Sequence, residues 1–327
     1  MQSILKIFQD LNQFISSNSD GFNIASLPKI KNHKIGLSSQ GMPVFFIKCE
    51  DGDKERILDY NLEFISVQFN RECRLLSEDK IIAEGSYTVI SLRTESIDLQ
   101  EYFLEIVFLV VQKLSPIATL KELKFEVKKL INLFNKFTQP PTKTIQGLWA
   151  ELLVIEQSKT PEYLIKSWHC SPNDKFDFND GIDKIEVKST AKSRRVHSFS
   201  FEQLNPNKNS NLIIASVFAV ETGIGKTIFD LVKSIDLKVK SIDLLTHINE
   251  VLIETLGKDF EKTFEIFFDY QLAIDTLAFF ESEIVPKIES SNIKQEISNI
   301  HFDVDLSNIE QIIKIKTNST LHKSLIK

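Results

Sequence analysis

Gln139-Pro140-Pro141-Thr142 is the segment that most constrains how this chain can fold. Neither proline has a backbone N–H to donate, and each clashes with a helix running through it. Any helix before the pair must stop, and a new element must begin beyond it. Thr142 and Thr144 each offer a hydroxyl able to cap first-turn amides, so a helix is expected from Thr144 to Ser158. We place a domain boundary at the prolines. The 327 residues agree with two domains of roughly 150 residues each. A hydrophobic content of 42% against 26% charged residues is that of an ordinary globular chain and excludes wholesale disorder.

On this division, residues 1–140 read as a mixed α+β domain. Ile4, Leu5, Phe8, Leu11, Phe14 and Ile15 form an apolar stripe at helical spacing. Strand-like runs follow at Pro43–Lys48, Leu62–Phe69 and Tyr87–Leu92, with Glu50-Asp51-Gly52-Asp53 as turn material between them. Two helical patterns, Leu99–Lys113 and Leu120–Phe137, complete it. Its composition names no function. Residues 141–225 read as helix, strand, hairpin and buried strand: Thr144–Ser158, Ile165–His169, Lys175–Phe178 with Ile182–Thr190, and Leu212–Val220. The last is apolar except for Ser216, as befits a strand covered on both faces. Residues 226–327 read as mainly helical, with phenylalanines at 260, 264, 267 and 268 and short strand-like runs beyond Ile284.

Several classes fall away. The longest apolar runs, Ile106–Val111 and Leu212–Val220, are far short of the about 20 residues that span a bilayer. MQSILKIFQD lacks the features of a secretory signal. Cys49, Cys73 and Cys170 are odd in number and widely spaced, which argues against a disulfide framework or a structural zinc site. A reducing, cytoplasmic setting is expected. The net charge is −6, and residues 221–327 carry 18 acidic against 12 basic side chains. The chain is therefore no globally basic nucleic-acid binder, although a local basic patch is allowed because screening keeps fields local.

The chemistry concentrates in KFDFNDGIDKIEVKSTAKSRR, Lys175 to Arg195. With Asp180-Gly181 as a two-residue turn, Asn179 faces Ile182 and Asp177 faces Lys184. Alternation puts Lys184, Glu186 and Lys188 on one face with Asp177, and turns Ile185 and Val187 to the core. Asp177 is then the diagonal neighbour of Glu186, about 7–8 Å away along the backbone. Two carboxylates so placed can hold one hard cation, and Lys188 beside Glu186 can orient a water or stabilise charge on a phosphate. Glu151 lies at the border of the apolar stripe of Ile145, Leu148, Trp149, Leu152 and Ile155. A carboxylate there is costly unless paired or bound to a cation. Gly147, one turn earlier, would let another backbone come close. Taken singly, each of these residues reads equally well as part of a surface ion pair.

Helix Glu151, strand Asp177 and the acid-x-lysine triplet of Glu186 and Lys188 resemble the PD-(D/E)XK nuclease superfamily. GLWAELLVIE, FDF, EVKST and HSFSFEQL are similar to a bacterial group within it that is linked to restriction and phage defence. The resemblance covers about residues 140–221. It implies an α/β (α+β) chain with a restriction-endonuclease-like core of helix, three-stranded meander and further strand. An N-terminal α+β domain and a mainly helical C-terminal region would flank that core. It implies Mg²⁺, or Mn²⁺, held by Asp177 and Glu186 with the Val187 carbonyl, assisted by Glu151, and Lys188 acting on the attacking water. The implied reaction is hydrolysis of a DNA phosphodiester. A homodimer, or other subunits of a restriction or defence system, are the protein partners it leaves open. The sequence departs from the motif in one place: Phe176, not proline, precedes Asp177, and Asp174 after Pro172-Asn173 is a second candidate for the first acid.

Lys184, Lys192, Arg194, Arg195, His197 and Gln203 surround this motif and are the candidate DNA contacts. A solvated loop and a capped helix start explain them as well. Gly223-Ile224-Gly225-Lys226-Thr227 lacks the first glycine of a phosphate-binding loop and reads as a turn before strand-like residues. His169 and Cys170, adjacent on an expected strand, would point to opposite faces and so could not share an ion. They read as a border histidine and a core cysteine. A second functional reading is a nuclease-fold subunit that binds or assembles without cutting, and RNA is the alternative substrate.

Overall fold

The division of the chain falls at the prolines, giving compact units Met1–Pro140 and Pro141–Lys327. The computed structural model describes residues 3–13, 23–38, 40–50, 57–77, 80–169, 174–207, 209–289, 291, 293–294, 296–313 and 318–325. Part of the Glu50-Asp51-Gly52-Asp53 turn, residues 14 and 15 of the first apolar stripe, and Cys170 lie outside the described residues.

The first unit opens with α1 (Ile4–Gln13), whose Ile4 and Phe8 are buried. Six antiparallel strands follow: β1 (Asn23–Ser26), β2 (Lys34–Leu37), β3 (Pro43–Lys48), β4 (Tyr60–Asn61), β5 (Ile65–Ser77) and β6 (Lys80–Leu92). They pair in the order β1-β2-β3-β6-β5-β4. β5 and β6 are 13 residues each, longer than the sequence patterns indicate. Along the added length Arg71, Glu72 and Arg74 are exposed and held by cross-strand pairing, while Leu75 is buried in a core cluster with Ile24, Val44, Phe46, Tyr87 and Val89. α2 (Ile97–Val111) is capped by Ser96, and α3 (Leu120–Lys136) starts with a capping box of Thr119 and Glu122. Phe103, fully buried, meets Phe134 at 4.7 Å and Phe137 at 4.9 Å between ring centroids, which locks the helix pair.

The second unit opens with α4 (Ile145–Gln157), its first turn closed by the Thr144 hydroxyl accepting from the Gly147 N–H at 3.1 Å. A Cβ at Gly147 would meet that hydroxyl at 3.1 Å. What comes close to Gly147 is therefore its own helix cap, not another backbone. α5 (Pro161–Ser167) replaces the strand expected at Ile165–His169. Thr160-Pro161-Glu162 is a helix-start signature, and Leu164, Ile165 and Trp168 are buried from a helix and its end rather than from alternating strand positions.

Then come β7 (Phe178–Asn179), β8 (Lys184–Thr190), β9 (Val196–Ser200), α6 (Phe201–Leu204) and β10 (Leu212–Phe218). β11 (Glu221–Thr222), α7 (Ile228–Asp236) and α8 (Ile242–Leu256) follow. β12 (Phe267–Phe268), α9 (Tyr270–Thr276), β13 (Ala278–Glu281), β14 (His301–Asp305) and α10 (Thr320–Lys323) end the chain. The central sheet runs β13-β10-β8-β7, with β8 and β10 parallel and both outer strands antiparallel. Glu186 pairs with Ile214 and Lys188 with Ser216 in the middle of it. α4 packs on β8 and α7.

The residues after Gly225 form α7, not a strand. Thr227 and Asp230 make its capping box, and Lys226 lies 3.5 Å over the Tyr270 ring. Gly225, at φ +151°, passes so close to the Phe268 carbonyl that a Cβ would sit 2.1 Å from its oxygen. The phenylalanine-rich stretch is not one helix either: two short 3-10 turns, Gly257–Asp259 and Glu261–Phe264, lead into β12. The C-terminal turn clamps the sheet. His322 Nε2 lies 3.0 Å from the Lys184 carbonyl, and the Ser158 hydroxyl donates to the Ser324 carbonyl at 2.6 Å. No helix among the described residues is long and apolar enough to cross a membrane. Cys49 and Cys73 are in no disulfide among the described residues, and the buried Cys49 Sγ lies 3.2 Å from the Ile47 carbonyl.

Candidate active site

The hairpin of β7 and β8 pairs Asn179 with Lys184 and Phe178 with Ile185, so its turn spans Asp180 to Asp183 rather than two residues. Asp180 Oδ1 accepts the N–H groups of Ile182 and Asp183, Asn179 Oδ1 accepts that of Gly181, and Gly181 takes φ +91°. The register differs from the simple two-residue hairpin by an even number of residues. Faces are therefore kept, and Asp177 comes directly opposite Glu186 instead of diagonal to it. Asp177 Oδ2 accepts the Val187 N–H at 2.8 Å, which ties the two strands at this point.

Three carboxylates are buried here: Glu151 is 3% exposed, Asp177 6% and Glu186 3%. Asp177, not Asp174, is the acid that shares partners with Glu151. Lys143 Nζ donates to Glu151 Oε1 at 2.8 Å and to Asp177 Oδ1 at 2.6 Å, and lies 3.1 Å from His169 Nε2. Glu151 Oε2 accepts the indole N–H of Trp168 at 2.8 Å and faces His169 Nε2 at 2.7 Å. Glu186 Oε1 accepts from Lys188 Nζ at 2.8 Å and from Gln203 Nε2 at 2.5 Å, while Gln203 Oε1 accepts from Lys188 at 3.1 Å. Glu186, Lys188 and Gln203 thus close a ring of contacts, with Gln203 placed by the capping box of α6.

Burial sets the electrostatics. It pushes the Glu186 carboxyl up to about 8, with the neighbouring Asp177 adding to the push and Lys188 opposing it. It raises Asp177 as well, reinforced by Glu151. For Glu151 burial again opposes ionisation, but the His169 contact and Lys143 outweigh it and hold the carboxyl at about 2. Burial also works against the charge on Lys143, and Asp177 and Glu151 overcome it, keeping the ammonium protonated well past its ordinary range.

The donor set fits a hard divalent cation. Glu186 Oε2 is buried and finds no hydrogen-bond partner among the described residues. An orphaned carboxylate oxygen opposite a second carboxylate is the position a Mg²⁺-type ion satisfies. Glu151, His169 and Asp177 also offer one ligand atom each within 4.8 Å of one another.

The surrounding cations divide sharply. Lys192 is exposed, and Arg194 is exposed and paired with Asp305. Lys184, Arg195 and His197 are buried, which corrects the expectation that they contact DNA from the surface. Lys184 Nζ pins the turn through Asn179 Oδ1 at 2.9 Å. Arg195 donates to the Ser216 carbonyl at 2.9 Å and hydroxyl at 2.8 Å and to the Thr276 carbonyl, while His197 Nε2 lies 2.7 Å from the same hydroxyl. The single polar residue of β10 is thus the anchor for both. Gln203 belongs with the acids rather than with the surface cations.

Two residues of the site were not anticipated. On a strand His169 would sit at the border; the end of α5 instead leaves it at φ +44°, with its N–H on the Asp177 carbonyl at 3.1 Å and its ring on Glu151. The helix-start signature at Thr160-Pro161 was the available signal. Lys143 carries no motif; only its place next to the helix cap Thr144 brings it to Glu151.

A family model described as "Putative PD-(D/E)XK family member (DUF4420)" matches residues 8–307. No curated protein and no solved structure matches the chain.

Proposed function

Because the chain belongs to this PD-(D/E)XK family, we propose that it is a Mg²⁺-dependent deoxyribonuclease that hydrolyses DNA phosphodiester bonds. The observation that carries the reading is the Asp177–Glu186 pair. Two buried carboxylates stand opposite each other, and one oxygen of Glu186 finds no partner among the described residues. Asp177 and Glu186 would hold the ion, with the Val187 carbonyl completing its protein ligands. The ion, once bound, supplies Lewis-acid stabilisation of charge on the phosphate.

The chain's own residues supply the rest. Lys188 positions the attacking water and stabilises charge that develops at the phosphate. Gln203 holds Glu186 and Lys188 in register. Glu151 acts at one remove, fixing Lys143 and His169 beside Asp177. Lys192 and Arg194, exposed beyond β8, are the side chains placed to meet DNA phosphates. The central sheet, with α4 across it and β8 carrying the acid-x-lysine triplet, supports a restriction-endonuclease-like core. A role in restriction or phage defence and a homodimer or larger assembly follow from the sequence resemblance, a cytoplasmic setting from the cysteine usage, and all extend this reading.

The test is cleavage of plasmid and linear DNA, methylated and unmethylated, with Mg²⁺ or Mn²⁺, by wild type and Lys188→Ala. Metal-dependent cutting that the substitution abolishes is the expected result. Cutting unaffected by the substitution places the active site elsewhere. No cutting by either protein turns the reading to a nuclease-fold subunit that binds or assembles without cleaving.

A further inference from the structure

The Lys143 ammonium is held as an ion is held. Two of its N–H donors meet carboxylate acceptors, Glu151 Oε1 at 2.8 Å and Asp177 Oδ1 at 2.6 Å, and its Nζ lies 3.1 Å from His169 Nε2, which also stands 2.7 Å from Glu151 Oε2. These are the same three residues whose ligand atoms cluster within 4.8 Å. The Lys143 side chain is 35% exposed, and its backbone is placed by its neighbours. It adjoins the helix cap Thr144, and the Thr142 N–H anchors the segment on the Thr255 carbonyl at 2.9 Å. His169 is fixed independently by its own N–H on the Asp177 carbonyl at 3.1 Å.

A different atom marks a separate cation position. Glu186, 3% exposed, keeps Oε2 buried with no partner among the described residues, although its other oxygen is held by Lys188 and Gln203. Lys143 does not satisfy that oxygen. The cluster therefore presents one cation position already filled by a side chain and one that is not.

We propose that Lys143 is a resident cation occupying a second metal position, framed by Glu151, Asp177 and His169, which takes a divalent ion when the ammonium is removed. The inference rests on the metal-dependent reading above, in which the remaining ion sits at Asp177 and Glu186. Charge supports it. Three carboxylates against the ammoniums of Lys143 and Lys188 and one divalent ion leave a single positive charge, matched to a phosphodiester anion. A second divalent ion beside a retained Lys143 would add two uncompensated charges in a buried site, at high cost.

The experiment counts Mn²⁺ bound to the full-length protein by calorimetry and electron paramagnetic resonance, in wild type and Lys143→Met. Spin-echo modulation on the bound Mn²⁺ reports whether an imidazole nitrogen is a ligand. The wild type is expected to bind one ion without imidazole coupling. Lys143→Met should bind one ion more, and imidazole coupling should appear and then vanish in Lys143→Met/His169→Gln. Equal ion counts in wild type and variant overturn the proposal. So does imidazole coupling in the wild type, which would mean that the metal expels the lysine; that measurement needs no variant. Lys143→Gln, closer in polarity, serves as the second variant should Lys143→Met fold poorly. A wild type that binds no ion while the variant gains one supports the Lys143 position and defeats the metal at Asp177 and Glu186, so the two readings fail separately.

Discussion

Asp177 is bonded to the strand that carries its partner acid: its Oδ2 accepts the backbone N–H of Val187, the residue after Glu186, at 2.8 Å. The distance between the two acids is thereby set by backbone rather than by two free rotamers, although β7 is only two residues long. A site built this way is preorganised, and each neighbour of the pair has an assignable job.

Asp177→Asn retains the side-chain volume and an oxygen for the Val187 N–H, so the fold is kept. The lost charge should weaken Mn²⁺ binding and lower DNA cleavage by more than the roughly 10–100-fold typical of losing an outer-sphere partner. Calorimetric Mn²⁺ titration beside a cleavage time course checks this. Unchanged metal affinity would remove Asp177 from the ligand set.

Lys188→Met keeps most of the apolar stem and removes the ammonium, whose Nζ lies 4.9 Å from the centroid of the Phe199 ring. Cleavage should fall by about 100-fold or more. DNA affinity, read by fluorescence anisotropy, should change little, because Lys192 and Arg194 stay exposed to meet the phosphates. A loss confined to affinity would make Lys188 a binding residue instead.

Gln203→Ala removes a 2.5 Å bond to Glu186 and half of the capping box of α6. A rate loss of roughly 10–100-fold is expected, with a stability loss of about 1 kcal/mol from the cap. Rate and urea midpoint measured on the same preparation separate the two effects. A stability loss without a rate loss would reduce Gln203 to a structural cap.

Trp168→Phe preserves a fully buried ring but deletes the indole N–H that meets Glu151 Oε2 at 2.8 Å. The cost should be about 1–3 kcal/mol, because a buried carboxylate loses a donor. Chemical denaturation gives the value, and a change below the lower bound would show that His169 and Lys143 suffice for Glu151.

His33 and His197 are buried and neutral, each held down to about 4 chiefly by desolvation. His33 accepts the Lys48 N–H on Nδ1 at 3.1 Å and meets the Ser115 carbonyl through Nε2 at 3.0 Å, which requires the neutral ring. Between pH 6.5 and 4 the unfolded chain binds protons that the folded chain refuses. Their stabilising contribution is therefore complete above pH 6.5 and is lost as pH falls toward 4, about 3 kcal/mol each. Imidazole NMR should show both rings neutral down to about pH 4. Titration of either near 6.5 would disprove the burial account.

The parts of the site that could be read in the sequence are those written in short-range periodicity. Glu151 on the helix that Thr144 caps follows from cap chemistry and a 3.6-residue stripe. Asp177, Glu186 and Lys188 on one face follow from strand alternation, which survived an error in turn length because the error was even. The turn is longer than two residues because Asp180 and Asn179 take up its amides with their side chains, extending it to Asp183. The short helix at Pro161 was hidden by buried residues that read equally well as strand.

What the sequence by itself determined is the break at Pro140-Pro141 and the order in which the acids and Lys188 enter the fold, since both are local properties of the backbone. Tertiary structure alone decided which charges are available. Arg195 and His197 sit in the same basic run as Lys192 and Arg194, yet the first two are drawn inward by Ser216, a residue of another strand. Lys143 and His169 join the acids only because α4, α5 and β7 converge on one point. A charge becomes a ligand, an anchor or a surface contact according to what is packed against it, and that depends on contacts between residues far apart in the chain.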